Sequence, residues 1–222
     1  MAIDGVEQVT PAGSLRRGKE TVGDLDLLAT GAGGCGSDRE IRAASQSAEV
    51  LGKGENKASV RYGLEGLQVD LRALPKENFG AALQYFTGSK EHNIHIRTRA
   101  VKMGLTLNEY SLARIDTKEP VAAATEEEVY AALGLAWIPP EMRENQGEIE
   151  AAENGTLPKL ISLGDMRGDL HMHTTESDGR ATLEEMALRR RRWGMNTSQS
   201  RTIRSARDGE WVGRKTGCRV RG

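Results

Sequence analysis

Over roughly the first third of the chain, apolar and polar positions alternate in short runs, which is the period of strands rather than helices. Val6 and Val9 begin such an alternation and are followed by a Gly13-Ser14 turn. Residues 21–28 (TVGDLDLL) form a short apolar run broken by carboxylates two apart, which predicts a strand carrying both acids on one face. Residues 30–47 are rich in Gly, Ser and Ala and read as loop. Two more strands are expected at 57–62 (KASVRY) and 67–74 (LQVDLRAL), joined through Gly63 and Gly66. Together these segments make a small sheet.

The period changes at Phe79. FGAALQYF predicts a helix that breaks at Gly88-Ser89 and resumes to Met103, with Gly104 as a C-terminal cap. Thr125-Glu126-Glu127-Glu128 reads as a capping box for a helix ending near Gly134, and Pro139-Pro140 interrupts the chain beyond it. Residues 141–168 are charged and irregular, as a linker would be. Residues 169–173 (DLHMH) read as a strand and residues 183–188 as the start of a helix. The resulting class is α+β, with units at 1–76, 77–140 and 169–188 and a tail at 189–222.

At 222 residues the chain is long enough for a sizeable core, and 31 basic against 32 acidic residues leave it nearly neutral. The distribution is uneven. Eleven basic and two acidic residues fall in 189–222, so the rest of the chain is acidic. No apolar run is long enough to span a bilayer and the N-terminus lacks a signal pattern, so the chain reads as cytoplasmic, with no membrane partner and no sign of an oligomer. Cys35 and Cys218 lie far apart without CxxC spacing, which excludes a disulfide framework or a cysteine zinc knuckle.

Asp24 and Asp26 share one strand face, and Asp70 lies on a strand that could pair beside it. Three converging carboxylates repel one another unless a cation sits between them, and their hard oxygens suit Mg²⁺. Gly13-Ser14 offers turn N–H groups and a hydroxyl to a phosphate, with Arg16, Arg17 and Lys19 adding positive charge. Metal on one side and phosphate on the other describe nucleotidyl transfer with two metal ions. A DxD alone on an exposed strand is usually a solvated face; the upstream turn and the later Asp70 change that balance.

AGSLRRGKETVGDLDLL, KASVRYGLEGLQVDLR and FGAALQYFTGSKEHNIHIRTRAVKMGLTLNEYSL, in this order, resemble the palm and thumb of family X DNA polymerases, in the bacterial form that also carries a PHP domain. The resemblance implies a nucleotidyltransferase-type palm at 1–76 and a small α/β thumb at 77–140. It implies that Asp24, Asp26 and Asp70 hold two Mg²⁺ (or Mn²⁺) ions, with Asp70 orienting a primer 3′-hydroxyl. Gly13, Ser14, Arg17 and Gly23 would contact the triphosphate of a dNTP, and Arg72 would tune the neighbouring carboxylate. Tyr85, Phe86 and Gly88 would wall the incoming sugar, with a cis peptide after Gly88, and Asn93 would reach the minor-groove edge of the new base pair. Lys90, His92, His95, Arg97, Arg99 and Lys102 make the following helix basic and would lie toward template phosphates. His92 and His95 read as polar surface residues. The partners implied are primer–template or gapped DNA and a dNTP.

In GDLHMHTTESDGRATLEEMA, His171 and His173 stand two apart on a strand and Asp178 comes after a turn, a set suited to Zn²⁺ or Mn²⁺. The string resembles the first motif of PHP phosphoesterases, which in this family supply a 3′–5′ exonuclease. The later strands of that TIM-like barrel are not found, so an incomplete site without hydrolysis is expected. The chain also reads as truncated before the palm. Its basic tail has no strand or helix period and is expected to be disordered. Permitted codons for residues 189–207, read in another frame, yield a segment ending in the Thr-Asp-His motif with which relatives continue. The rival expectation is an inactive truncated product that binds metal, nucleotide or DNA weakly.

Overall fold

The computed structural model describes residues 6–31, 48–54, 56–63, 65–166, 168–175, 178–192, 197–201 and 215–216. These fall into two compact units, divided between Leu157 and Pro158. The fold is α+β, as expected.

The first unit opens on a five-stranded mixed sheet of β1 (Gln8–Pro11), β2 (Asp24–Thr30), β3 (Ala48–Lys53), β4 (Lys57–Tyr62) and β5 (Leu67–Leu74), in the order β1-β2-β5-β4-β3. β1 runs antiparallel to β2, β2 parallel to β5, and β5 antiparallel to β4. β4 and β5 have the bounds their alternation predicts. β3 was not anticipated, and most of the loop expected at 30–47 lies outside the described residues. A short helix α1 (Gly13–Arg16) follows β1. Ala12, Leu28 and Leu74 form a small core with Ala82 and Leu83 of helix α2 (Phe79–Thr87), so α2 closes one side of the sheet.

Helix α3 (Lys90–Lys102) starts after the expected break, with the Ser89 side chain accepting the His92 N–H as its N-cap. A three-stranded sheet follows: β6 (Leu105–Leu107), β7 (Leu112–Arg114) and β8 (Pro120–Ala122). Strands this short carry too few alternations for a sequence reading to find them. Helix α4 (Glu126–Ala132) is capped by the Thr125 side chain, which accepts the Glu128 N–H. Ile96, Ala100, Leu105, Leu112, Tyr130, Leu133 and Ile138 build the larger core between these elements.

Residues 141–157, expected within a linker, instead belong to this unit. A short helix α5 (Glu148–Glu153) places Ile149 and Ala152 in the larger core, and Arg143 is fully buried. Arg143 and Glu148 are buried against partners distant in the chain, Glu126 and His92, while Glu141, Glu150 and Glu153 stay exposed.

In the second unit, β9 (Gly168–Met172) pairs in parallel with β10 (Thr197–Arg201), which pairs with β11 (Lys215–Thr216). Helix α6 (Leu183–Arg192) begins with a capping box in which Thr182 and Glu185 exchange hydrogen bonds. Against the expectation of a tail without structure, α6 runs on to Arg192 and two further stretches are strands, β10 beside β9 and β11 beside β10; the other tail residues lie outside the described ones. No helix among the described residues is long and apolar enough to cross a membrane.

Candidate active site

Because β2 and β5 pair in parallel, Asp26 lies directly across from Asp70 and Asp24 across from Gln68. Side chains two apart on a strand share a face, so all three acids stand on the same side of the sheet. Asp26 has its carboxyl pushed up by partial burial, then by the charges of Asp24 and Asp70, against an opposing pull from Arg72 and Lys57. Burial also pushes Asp70 up, but hydrogen bonding with Ser59 and Gln68 and the charges of Lys57 and Arg72 outweigh it and hold Asp70 below the usual range. Gln68 Nε2 donates to Asp70 at 3.3 Å, and Lys57 Nζ lies 3.7 Å from it. The pair therefore consists of one carboxylate held ionised and one made reluctant to ionise by burial and then by its acidic neighbours. A divalent cation would relieve that cost. Among the described residues no three acidic, histidine or cysteine side chains are already gathered into a metal-binding cluster.

The Gly13-Ser14 turn lies against Asp26. Ala12 N–H donates to the Asp26 carbonyl at 2.8 Å, and Gly13 has φ +58°. A Cβ at Gly13 would sit 2.3 Å from Asp26 Oδ2, so only glycine admits both this backbone and this approach. Ser14 is half-buried in the turn, whereas Gly23 is exposed, with open space where a side chain would be.

The two arginines after Ser14 are both engaged. Arg16 forms a bidentate pair with Glu126 at 2.7 and 2.8 Å and donates to Thr87 Oγ1 at 2.8 Å. Arg17 Nε donates to Glu144 at 2.7 Å and its Nη1 to the Thr87 carbonyl at 2.8 Å. Burial would raise Glu126, but Arg16 and Arg143 hold its carboxyl down to about 2. Trp137 Nε1 also donates to Glu126, at 3.2 Å.

Arg72 lies over the Phe86 ring at 4.3 Å from its centroid, and Tyr85 meets Phe86 edge-on at 5.1 Å. The Arg72 Nε is buried without a hydrogen-bond partner. Gly88 is needed by close approach: a Cβ there would meet Asn93 Oδ1 at 2.6 Å. The chain has no cis peptide bond among the described residues, so the cis form expected after Gly88 is not found. Asn93 donates to the carbonyls of Tyr85 at 2.7 Å and Gly88 at 3.3 Å, and accepts from Gln84 at 3.2 Å. Here it fastens α2 to α3.

His92 is a correction to the sequence reading. It is fully buried, with Nδ1 2.6 Å from Glu148 Oε1 and Nε2 3.0 Å from the Tyr130 hydroxyl. Burial lowers the His92 pKa and raises that of Tyr130 to about 12. A neutral ring that donates from Nδ1 to Glu148 and accepts the Tyr130 O–H satisfies all three groups. His95 is half-exposed and contacts Asn145 at 2.9 Å. Lys90, Arg97 and Lys102 are exposed on α3, while Arg99 is partly covered and pairs with Glu153 at 2.9 Å.

In the second unit, His173 Nδ1 and Asp178 Oδ1 are in hydrogen-bond contact. The side chain of His171 lies outside the described residues. Sequence reasoning missed Lys57, Ser59, Glu126 and Glu144. The first two alternate on β4 and could have been suspected; the acids come from segments that only folding brings to the site.

Residues 82–144 match the family model of the DNA polymerase beta thumb. The chain is 40% identical over 183 residues to the DNA polymerase/3′-5′ exonuclease PolX of Bacillus subtilis (strain 168), covering 79% of this chain and 31% of the relative. It is 27% identical over 159 residues to the DNA polymerase lambda of Rattus norvegicus, covering 60% of this chain and 28% of the relative. It is 28% identical over 142 residues to a repair DNA polymerase X of African swine fever virus (isolate Tick/Malawi/Lil 20-1/1983), covering 62% of this chain and 82% of the relative. The chain thus spans less than a third of the length of the first two relatives. By its thumb and by the long stretch shared with PolX, the chain is similar to the family X DNA polymerases.

Proposed function

We propose that this chain transfers a deoxynucleoside monophosphate from a dNTP to the 3′-hydroxyl of a primer on gapped DNA, releasing pyrophosphate, as a cytoplasmic repair polymerase. The observation that carries the reading is the parallel register that sets Asp26 opposite Asp70, with Asp24 on the same face and the Gly13 turn against Asp26.

The donor set of Asp24, Asp26 and Asp70 fits two Mg²⁺ or Mn²⁺ ions by its hard oxygens and by the burial and mutual repulsion that together raise Asp26. Such ions, when bound, supply Lewis-acid activation of the hydroxyl and neutralise charge on the triphosphate. Asp70, held ionised, orients the primer hydroxyl. The Gly13 and Ser14 backbone and hydroxyl, with Arg17 and Gly23, receive the triphosphate; Arg72 tempers the charge of both paired carboxylates. Tyr85, Phe86 and Gly88 wall the sugar and exclude a 2′-hydroxyl, and Asn93 turns to the base pair. Lys90, Arg97 and Lys102 face template phosphates. His171, His173 and Asp178 supply part of a PHP-type centre suited to Zn²⁺ or Mn²⁺, which the His173–Asp178 contact supports.

Gap filling on primed DNA with Mg²⁺ or Mn²⁺, comparing the intact chain with Asp70→Ala, tests the reading; equal incorporation by both ends it. A second reading, an inactive product that binds metal, nucleotide or DNA weakly, draws on the way Arg17 and Asn93 direct their hydrogen bonds inside the protein. Absence of incorporation by the intact chain, with dNTP binding retained, would favour it.

A further inference from the structure

Arg17 and Lys19 close on the same oxygen. Arg17 Nε lies 2.7 Å and Lys19 Nζ 3.0 Å from Glu144 Oε1. The side chains of Arg17, Glu144 and Lys19 are 13%, 19% and 46% exposed, so the cluster opens to water on the lysine side. Glu144 stands on a fixed base: the preceding Arg143 is fully buried, pairs with Glu126, and accepts the Ser89 N–H on its carbonyl at 3.0 Å. Arg17 and Lys19 leave the same turn as Ser14, and Lys19 N–H donates to the Ser14 carbonyl at 3.1 Å.

Two cations on one carboxylate oxygen is the arrangement these groups would give to a phosphate oxygen. The neighbouring pair behaves differently. Arg16 meets both oxygens of Glu126, which is almost fully buried and also gripped by Arg143 and Trp137, so that pair is an anchor. Glu144, more exposed and bound through one oxygen, is the exchangeable one.

We propose that Glu144 is an internal counter-anion that occupies the phosphate-binding arms Arg17 and Lys19 until a nucleotide triphosphate displaces it. The inference rests on the reading of the Gly13-Ser14 turn as a nucleotide site. Every phosphate that takes these two cations must first displace the carboxylate, and a triphosphate tail, with more oxygens and more charge than a monophosphate, does so with the larger gain. Glu144 thereby lowers the affinity for both by the same factor, and the more weakly held monophosphate falls below useful occupancy first.

The test titrates inorganic tripolyphosphate, dATP and dAMP into the full chain by calorimetry, for wild type, Glu144→Gln, Glu144→Asp and Arg17→Ala. Glu144→Gln should bind tripolyphosphate and dATP about three- to tenfold more tightly, with the ratio of dATP to dAMP affinity nearly unchanged. Glu144→Asp, which keeps the charge but shortens its reach, should fall between. A Glu144→Gln protein that melts like wild type yet binds tripolyphosphate no more tightly overturns the proposal. If that variant is partly unfolded at the assay temperature, Glu144→Asp decides by the same criterion. In that overturning case, weakened binding by Arg17→Ala leaves the nucleotide site standing without Glu144 as its competitor. Equal binding by Arg17→Ala and wild type removes Arg17 from the phosphate site and the proposal with it.

Discussion

Asp26 on β2 and Asp70 on β5 face each other across a parallel strand pair, yet their carboxyls are displaced in opposite directions, Asp26 upward and Asp70 downward. The difference lies in their surroundings. Asp70 has Ser59, Gln68 and Lys57 to hold its charge, whereas Asp26 is more deeply covered and feels two other acids.

Replacing Asp26 by Asn should therefore separate stability from activity. An ionised group whose folded pKa is raised costs stability above that pKa, so Asp26→Asn should melt at the same temperature or higher. Incorporation of dNMP should drop about a hundredfold or more. Added Mg²⁺ should raise the melting temperature of wild type and leave that of the variant nearly unchanged. Thermal melts with and without Mg²⁺, beside a primer-extension assay, check all three.

Arg72 pulls both paired carboxyls down, so Arg72→Ala should move the acid limb of the incorporation profile to higher pH. Phe86→Leu removes the ring beneath the guanidinium but keeps the charge. It should lose stability of about 1 kcal/mol while leaving that limb in place. Identical pH profiles for wild type and Arg72→Ala would contradict the electrostatic account.

Glu126 is held down to about 2 from 4.5 by Arg16 and Arg143. A carboxyl with a depressed folded pKa contributes stability that is complete above about pH 4.5 and is lost as pH falls toward 2. The difference corresponds to about 3 kcal/mol, as an order of magnitude. Urea midpoints should fall steeply over that window for wild type. For Glu126→Gln they should be lower at neutral pH and show a shallower acid dependence.

His92 is neutral at pH 7, and its lowered pKa means that stability declines as pH drops from about 6.5 toward the folded value. His92→Ala leaves Glu148 and the Tyr130 hydroxyl buried without this partner and should cost about 2–4 kcal/mol. Chemical denaturation at pH 7 measures it. A loss under about 0.5 kcal/mol would show that water replaces the ring at no cost.

Much of the fold was legible in local pattern. The bounds of β4 and β5, the break between α2 and α3 at Gly88, and the Thr125 cap follow from alternation, a glycine and a side-chain oxygen within a few residues. The misread features involved partners far apart. The string HNIHIRTR looks solvent-facing because the acid and phenol that satisfy His92 lie 56 and 38 residues away. Residues 141–157 look like linker because Arg143 and Glu148 are charges, and nothing local announces that Glu126 pairs with the first and His92 hydrogen-bonds the second inside a core.

By itself, the order of side chains determined β4, β5, the helix break at Gly88, the shared face of Asp24 and Asp26, and the glycine turn before them. Those depend on the two-residue repeat of a strand and on backbone sterics, which act between near neighbours. Tertiary structure alone decided that Asp70 comes into register with Asp26, that Arg16 is anchored by Glu126, and that Glu144 reaches Arg17. Pairing register and ion-pair choice are settled by the packing of whole faces against one another, and no short window of sequence holds both sides of that contact.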